Sequence, residues 1–182
     1  MLNGQRVLPA ISSHKALKTF LKTDLDYCLI MSFQLAQLSD LIKIIKKHNK
    51  RVIIHLELIK GLCNDEYGAI YLIQELKVDG IISTKPKVIE LCKKRQVIGI
   101  MRFFLKDTLS LDQSLKILSV ANPEAIEVLP AMPDKLDIIR KHSNSEILTG
   151  GLITKASEVK ACLDAGAQAI TTSKEDLWHH QH

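Results

Sequence analysis

The chain has 182 residues, 46% hydrophobic and 25% charged, with a formal net charge of +5. That length holds about one domain with its own core, and the composition excludes a disordered, collagen-like or low-complexity chain. Aromatics at 4% exclude a broad platform for stacking single-stranded bases. No apolar run approaches the roughly 18 residues of a membrane helix, and the opening MLNGQRVLPAIS lacks the basic and apolar regions of a signal peptide.

Short runs rich in Ile, Val and Leu alternate with helical patterns. Val7–Ile11 is the first predicted strand, and a helix starts near Ser13. Tyr27–Met31 is the second strand. Leu35–Lys47 follows as a helix, with Leu35, Leu38, Leu41, Ile42 and Ile45 at helical spacing. Val52–Leu58 is the third strand, followed by a helix near Asp65 and a fourth strand at Gly80–Ser83. Pro86 suits the first turn of a helix that runs to Lys94. Val97–Arg102 is the fifth strand, with a helix near Leu111. Asn122-Pro123 and Met132-Pro133 bracket a sixth strand, Ala125–Leu129, and a helix starts near Asp134. Ile147–Thr149 is the seventh strand, and the helix Ala156–Ala165 stops at Gly166. Ala169–Thr172 is the eighth strand, with a last helix near Lys174.

These strands lack clean polar alternation, as expected where both faces are covered. Eight strand–helix units predict a compact (β/α)8 TIM-like barrel with short loops and at least one degraded helix, a single unit over residues 1–178. Residues 179–182 read as a flexible tail. A doubly wound open sheet is the alternative, but no GxGxxG or GxxxxGK[ST] motif follows any strand. Cys28, Cys63, Cys92 and Cys162 form no CxxC pair and no zinc spacing, so free thiols in a reducing cytoplasm are expected, with no metal.

The sharpest chemistry lies at two strand ends. Strand seven runs into Thr149-Gly150-Gly151, and strand eight into Thr171-Thr172-Ser173. In barrels these two loops often form a phosphate site. Glycines let backbone N–H groups approach an anion, hydroxyls add donors, and a helix beginning at Ser173 favours negative charge. Gly150, Gly151, Thr172 and Ser173 are therefore the expected phosphate-binding residues, although each loop alone reads as a tight turn or a helix cap.

Alternation also places polar groups inside the barrel. His55 and Glu57 share the face of strand three opposite Val52, Ile54, Leu56 and Leu58. Arg102 on strand five and Glu127 on strand six point the same way. Buried charges need partners or a ligand. His55 is expected in a structural network. Glu57, Arg102 and Glu127 are divided evenly between a network, such as Arg102 with Glu127, and ligand contacts. Asp107 either assists or serves as a loop residue or cap, and Asp65 and Glu66 suit a helix N-terminus. No strand carries a lysine, and no Ser–His–Asp or metal-ligand set stands out, so no catalytic residue is assigned.

Basic residues gather just before strands. Lys46, Lys47, Lys50 and Arg51 close the second helix, Lys93, Lys94 and Arg95 the fourth, and Arg140, Lys141 and His142 the sixth. Helix-dipole complementation explains much of this. The first two groups are also candidates for RNA or another polyanion.

The segments Leu8-Pro9-Ala10-Ile11, Asp65-Glu66-Tyr67-Gly68-Ala69, Gly80-Ile81-Ile82-Ser83-Thr84, Glu127-Val128-Leu129-Pro130, Gly150-Gly151 and Thr171-Thr172-Ser173 occur in one order. With Arg102, Asp107-Thr108 and Leu177-Trp178, they resemble the glycerol uptake operon antiterminator regulatory protein family (GlpP). The resemblance spans nearly the whole chain. It implies a cytoplasmic barrel regulator that senses glycerol 3-phosphate as effector, without a cofactor. It also implies binding to leader mRNA, which prevents premature transcription termination of glycerol-catabolism genes, and no turnover. One departure is Glu57, where an aspartate is expected in a His-x-Asp segment. A homo-oligomer is left open. The rival readings are an enzyme acting on a small phosphorylated metabolite and a metabolite sensor that works through a protein partner.

Overall fold

A computed structural model describes residues 1–105 and 108–180. Asp107 and the last two residues of the expected tail, Gln181 and His182, lie outside the described residues. The strands are β1 (Val7–Ile11), β2 (Tyr27–Ile30), β3 (Arg51–His55), β4 (Gly80–Ser83), β5 (Ile98–Phe104), β6 (Ala125–Leu129), β7 (Glu146–Gly150) and β8 (Ala169–Thr172). All neighbours pair in parallel, and β8 closes on β1 through Val7 opposite Ile170 and Pro9 opposite Thr172. Closure makes this the predicted (β/α)8 barrel and removes the open-sheet alternative.

The helices between strands are α1 (His14–Phe20), α2 (Leu35–Lys47), α3 (Glu66–Gln74), α4 (Pro86–Lys94), α5 (Thr108–Ala121), α6 (Pro133–His142) and α7 (Ala156–Asp164). Local chemistry starts several of them. Ser13 Oγ accepts from the Ala16 N–H at 3.2 Å, and Asp65 Oδ1 accepts from Tyr67 and Gly68 N–H groups, both at 3.0 Å. Proline opens α4 and α6, where its missing N–H has no intrahelical partner to lose.

The core has two parts. Leu8, Tyr27, Leu29, Ile53, Ile82, Ile100, Ala125, Leu148 and Ala169 fill the barrel interior. Val7, Ile30, Val52, Ile54, Ile81, Met101, Ile126 and Ile170, out of phase with them, pack under the helices. The period-two sorting of the sequence is the sorting of these two layers.

Two expected elements differ. The third strand ends at His55, and Leu56–Leu58 forms a 3-10 turn. The chain turns because segment 58–60 pairs with the loop after β2: Ser32 N–H donates to Leu58 O, Lys60 N–H to Phe33 O, and Leu35 N–H to Lys60 O. The last helix is a single 3-10 turn, Glu175–Leu177, the degraded unit of the barrel. Its follower Trp178 is buried and donates its indole N–H to Thr172 O at 3.0 Å, which pins the turn to the end of β8.

Candidate functional site

Arg102, Glu127, Gly151, Thr171, Thr172 and Ser173 line a cavity of about 220 Å3 at the strand C-termini, with Ala10, Leu29, Met31, Leu129, Leu152 and Ile153 as its apolar wall. Three of the four expected phosphate residues thus meet in one place. Gly151 has φ +75, a backbone conformation that side chains disfavour, and it turns the chain out of β7 into the rim.

Gly150 does not line this cavity. It is buried in the barrel wall, where an added Cβ would come within 2.0 Å of Thr171 Oγ1. Its lack of a side chain lets β7 and β8 approach. Nor does Ser173 begin a helix. Thr172 Oγ1 accepts from Lys174 N–H at 3.1 Å, and only a three-residue turn follows, so no helix macrodipole points at the cavity. Lys174 Nζ instead donates to Thr154 O at 2.9 Å, tying the end of β8 to the loop after β7. Glu158 Oε2 in turn accepts from Thr154 and Lys155 N–H groups, at 2.7 and 3.0 Å. These bonds fix the rim.

Arg102 and Glu127 form the network considered from sequence. Their strands pair in register, Arg102 opposite Glu127. Arg102 Nε donates to Glu127 Oε2 at 2.6 Å, and Thr171 Oγ1 donates to Glu127 Oε1 at 2.6 Å. Glu127 is fully buried with both oxygens engaged. Its role is to hold Arg102 and Thr171 at the cavity. Thr171 was missed by the sequence reading, although its phase with Ala169 marks it as inward-facing.

Glu57 lies apart from that cavity lining. Because β3 ends at His55, Glu57 projects from a turn and not from the strand face expected for it. Its Oε1 accepts from Ser83 Oγ at 2.6 Å, Thr84 N–H at 2.8 Å and Thr84 Oγ1 at 3.1 Å. Burial raises the proton affinity of this carboxyl, but these donors outweigh it and hold the pKa below the ordinary carboxylate value. His55 is 2% exposed; its Nδ1 faces Glu57 Oε2 at 3.4 Å, and among the described residues neither ring nitrogen has a hydrogen-bond partner. Burial and then the nearby Arg102 charge push its pKa down to about 4, against a smaller opposing pull from Glu57.

The basic candidates divide. Lys50 Nζ donates to Thr23 O and Leu25 O, both at 2.7 Å, and lies 4.9 Å from the Phe20 ring centroid. Arg51 donates to the Tyr27 hydroxyl at 2.6 Å. Both serve the fold locally. Lys46 donates to Lys77 O, and Lys94 pairs with Glu90 at 2.7 Å. Lys47, Lys93 and Arg95 are exposed. Helix α3 adds exposed aromatics one turn apart, Tyr67 and Tyr71, to which the sequence reading gave no role.

A larger cavity of about 570 Å3 lies among Met1, Gln5, Arg6, Glu146 and Gln168 at the strand N-termini. It contains no expected site residue. The Met1 amine pairs with Glu146 at 2.8 Å, and Gln5 bonds Val7 O and Tyr27 O through Nε2 and Asp26 and Tyr27 N–H groups through Oε1. The smaller cavity at the strand C-termini is therefore the functional candidate, in keeping with how this architecture presents its ligands. Among the described residues no cluster of three or more His, Cys, Asp or Glu is placed to hold a metal, and no helix is long and apolar enough to cross a membrane. Cys28, Cys92 and Cys162 are buried and Cys63 is exposed, all as free thiols.

Fold and cavity together define a TIM barrel with a small polar cup at the C-terminal ends of its strands. The chain belongs to the family of glycerol-3-phosphate responsive antiterminators, whose pattern matches residues 7–178. This is the family the sequence resembles, and it is one of regulators. A crystal structure of the glycerol uptake operon antiterminator regulatory protein from Listeria monocytogenes is similar, with TM-score 0.92 and 31% identity, covering 96% of this chain and 95% of that one. A glycerol uptake operon antiterminator-related protein from Thermotoga maritima shares the fold, with TM-score 0.85 and 23% identity over 96% of this chain and 98% of that one. The Escherichia coli protein YgcP is 26% identical over 179 residues, 98% of this chain and 94% of its own length.

Proposed function

We propose that this chain binds glycerol 3-phosphate at the barrel mouth and, in response, engages the leader mRNA of glycerol-catabolism genes in the cytoplasm to oppose transcription termination. The observation that carries the ligand reading is the convergence of Gly151, Thr172 and Ser173 with Arg102 around one small cavity. The phosphate meets the rim backbone and the Ser173 hydroxyl, with the Arg102 guanidinium as counter-charge. Thr172 contributes through the rim it caps, and Glu127 through Arg102. Family membership supports the response to this ligand and the regulatory role.

Gly151→Asp places a carboxylate where the phosphate is to sit and forces an unfavourable backbone conformation. Like charges in contact cost several kcal/mol, so calorimetry is expected to show affinity reduced about 100-fold or more. Unchanged affinity in a folded variant overturns this placement. No turnover is expected, since among the described residues no nucleophile–base pair or metal set accompanies the cup. Phosphorus NMR of glycerol 3-phosphate with the protein should show one unchanged species; a product growing with protein concentration establishes the enzyme reading instead.

The RNA surface is placed at the strand N-terminal face, around Lys46, Lys47, Lys93, Lys94 and Arg95, away from the effector cup. Changing Lys46, Lys47, Lys93 and Lys94 together to Gln should weaken leader-RNA binding and flatten its salt dependence, because fewer counterions are released. Glycerol 3-phosphate affinity without RNA should not move. Wild-type RNA affinity and salt slope in this variant eliminate the surface.

A further inference from the structure

Among the described residues, three buried polar atoms near the barrel mouth make no hydrogen bond: Nδ1 and Nε2 of His55 and Oε2 of Glu57. Orphaned buried groups are rare, because each has given up water for nothing in return. Here they are held in place. The three bonds from Ser83 and Thr84 to Oε1 fix the Glu57 carboxylate, leaving Oε2 at 3.4 Å from His55 Nδ1. His55 follows Ile53 in phase, and Ile53 belongs to the interior layer, so the imidazole faces the barrel axis. Arg102 connects this pair to the cup: it lines the cavity and acts electrostatically on His55.

We propose that His55 and Glu57 form the polyol half of the effector site, receiving the vicinal hydroxyls of a phosphorylated polyol whose phosphate lies at the Gly151–Ser173 rim. The inference rests on the phosphate placement above and adds the groups that read the rest of the molecule. A hydroxyl both donates and accepts. An ionised carboxylate oxygen only accepts, so Glu57 Oε2 accepts a hydrogen bond from one hydroxyl. The neutral His55 ring offers one donor and one acceptor, and meets the neighbouring hydroxyl. An anion in this half would face Glu57, whereas at the rim it faces Arg102. Charge therefore fixes the orientation, with phosphate outward and diol inward. An apolar tail would leave all three atoms orphaned.

The test compares glycerol 3-phosphate, 3-hydroxypropyl phosphate and ethyl phosphate by calorimetry on the unmodified protein, then on His55→Leu, His55→Gln and Glu57→Gln. Wild-type affinity should fall about tenfold for each hydroxyl removed, the magnitude of a hydrogen bond to a buried or charged group. His55→Leu should bring glycerol 3-phosphate to within a few-fold of ethyl phosphate while ethyl phosphate affinity stays unchanged, and His55→Gln should recover part of the difference. The imidazole nitrogen resonances of His55 should shift with glycerol 3-phosphate and not with ethyl phosphate. Equal binding of the three esters by the wild-type protein overturns the hydroxyl subsite and leaves the phosphate site standing. Discrimination that persists in folded His55→Leu and Glu57→Gln assigns the hydroxyls elsewhere. No binding of any ester overturns the phosphate reading and this subsite with it.

Discussion

Two carboxylates sit near the mouth of this barrel under opposite conditions, Glu127 fully buried and Glu57 partly so. Glu127 lies on a strand, and its two oxygens are taken by Arg102 and Thr171, each at 2.6 Å. Glu57 lies on a turn, with one oxygen accepting three hydrogen bonds and the other, 3.4 Å from the His55 imidazole, accepting none among the described residues. A carboxylate with both oxygens bonded is architecture: it orients its neighbours. A carboxylate fixed by one oxygen and open at the other keeps an acceptor for a ligand, the role proposed above for Glu57. Hydrogen-bond occupancy separates the two roles.

The contrast gives an ordered set of expectations. Glu127→Ala should be the most damaging, because it strands the Arg102 charge and the Thr171 hydroxyl together. Chemical denaturation should show a loss of about 3–5 kcal/mol. A much smaller loss would mean that Arg102 finds another partner and that the Glu127 network is not architectural.

Acid should act next, through His55. Its folded pKa of about 4 lies below its unfolded value of 6.5, so between these values the unfolded chain binds more protons. Stability from this group is therefore complete above the unfolded value and falls as pH drops toward the folded one, by on the order of 2 kcal/mol at pH 5. Glu57, whose pKa is held below the ordinary carboxylate value, adds its own loss as pH falls from that ordinary value through its folded one. Thermal melts from pH 7 to pH 4 should show the upper part of this decline in the wild-type protein and not in His55→Gln. A decline of the same size in both proteins would assign it to another group.

Glu57→Gln should be the mildest. The amide oxygen still accepts from Ser83 and Thr84, so stability should change by less than about 1 kcal/mol. The His55 titration should move further down, because the Glu57 charge that favours its protonated form is gone. A loss as large as that of Glu127→Ala would erase the distinction between the two carboxylates.

Much of the molecule was legible in the sequence. Helices α2 and α4 begin and end where their apolar spacing, Pro86 and flanking basic residues place them. The inward phase of Arg102 and Glu127 followed from alternation alone, and their register then made them a pair. Gly151, Thr172 and Ser173 were legible as a group because a barrel brings the ends of neighbouring strands together. These are consequences of side-chain period and strand order, which the linear sequence carries.

The rest depended on contacts between distant segments. Leu56-Glu57-Leu58 continues the alternation of a strand, but pairing of Leu58 and Lys60 with the loop after β2 draws it out of the wall. That turn moves Glu57 from a strand face to the Ser83 and Thr84 donors. Gly150 and Gly151 look equivalent as a dipeptide. Only the approach of β8 makes one a wall contact and the other a rim turn. Lys50 looks like a surface cation until Thr23 and Leu25 are folded against it, and Arg51, though exposed, is tied to the Tyr27 hydroxyl. Periodicity determined which residues face inward. Whether an inward polar atom is satisfied or left open depends on what the other seven strands and their loops place beside it, and among the described residues His55 has Glu57 Oε2 at 3.4 Å and no hydrogen-bond partner.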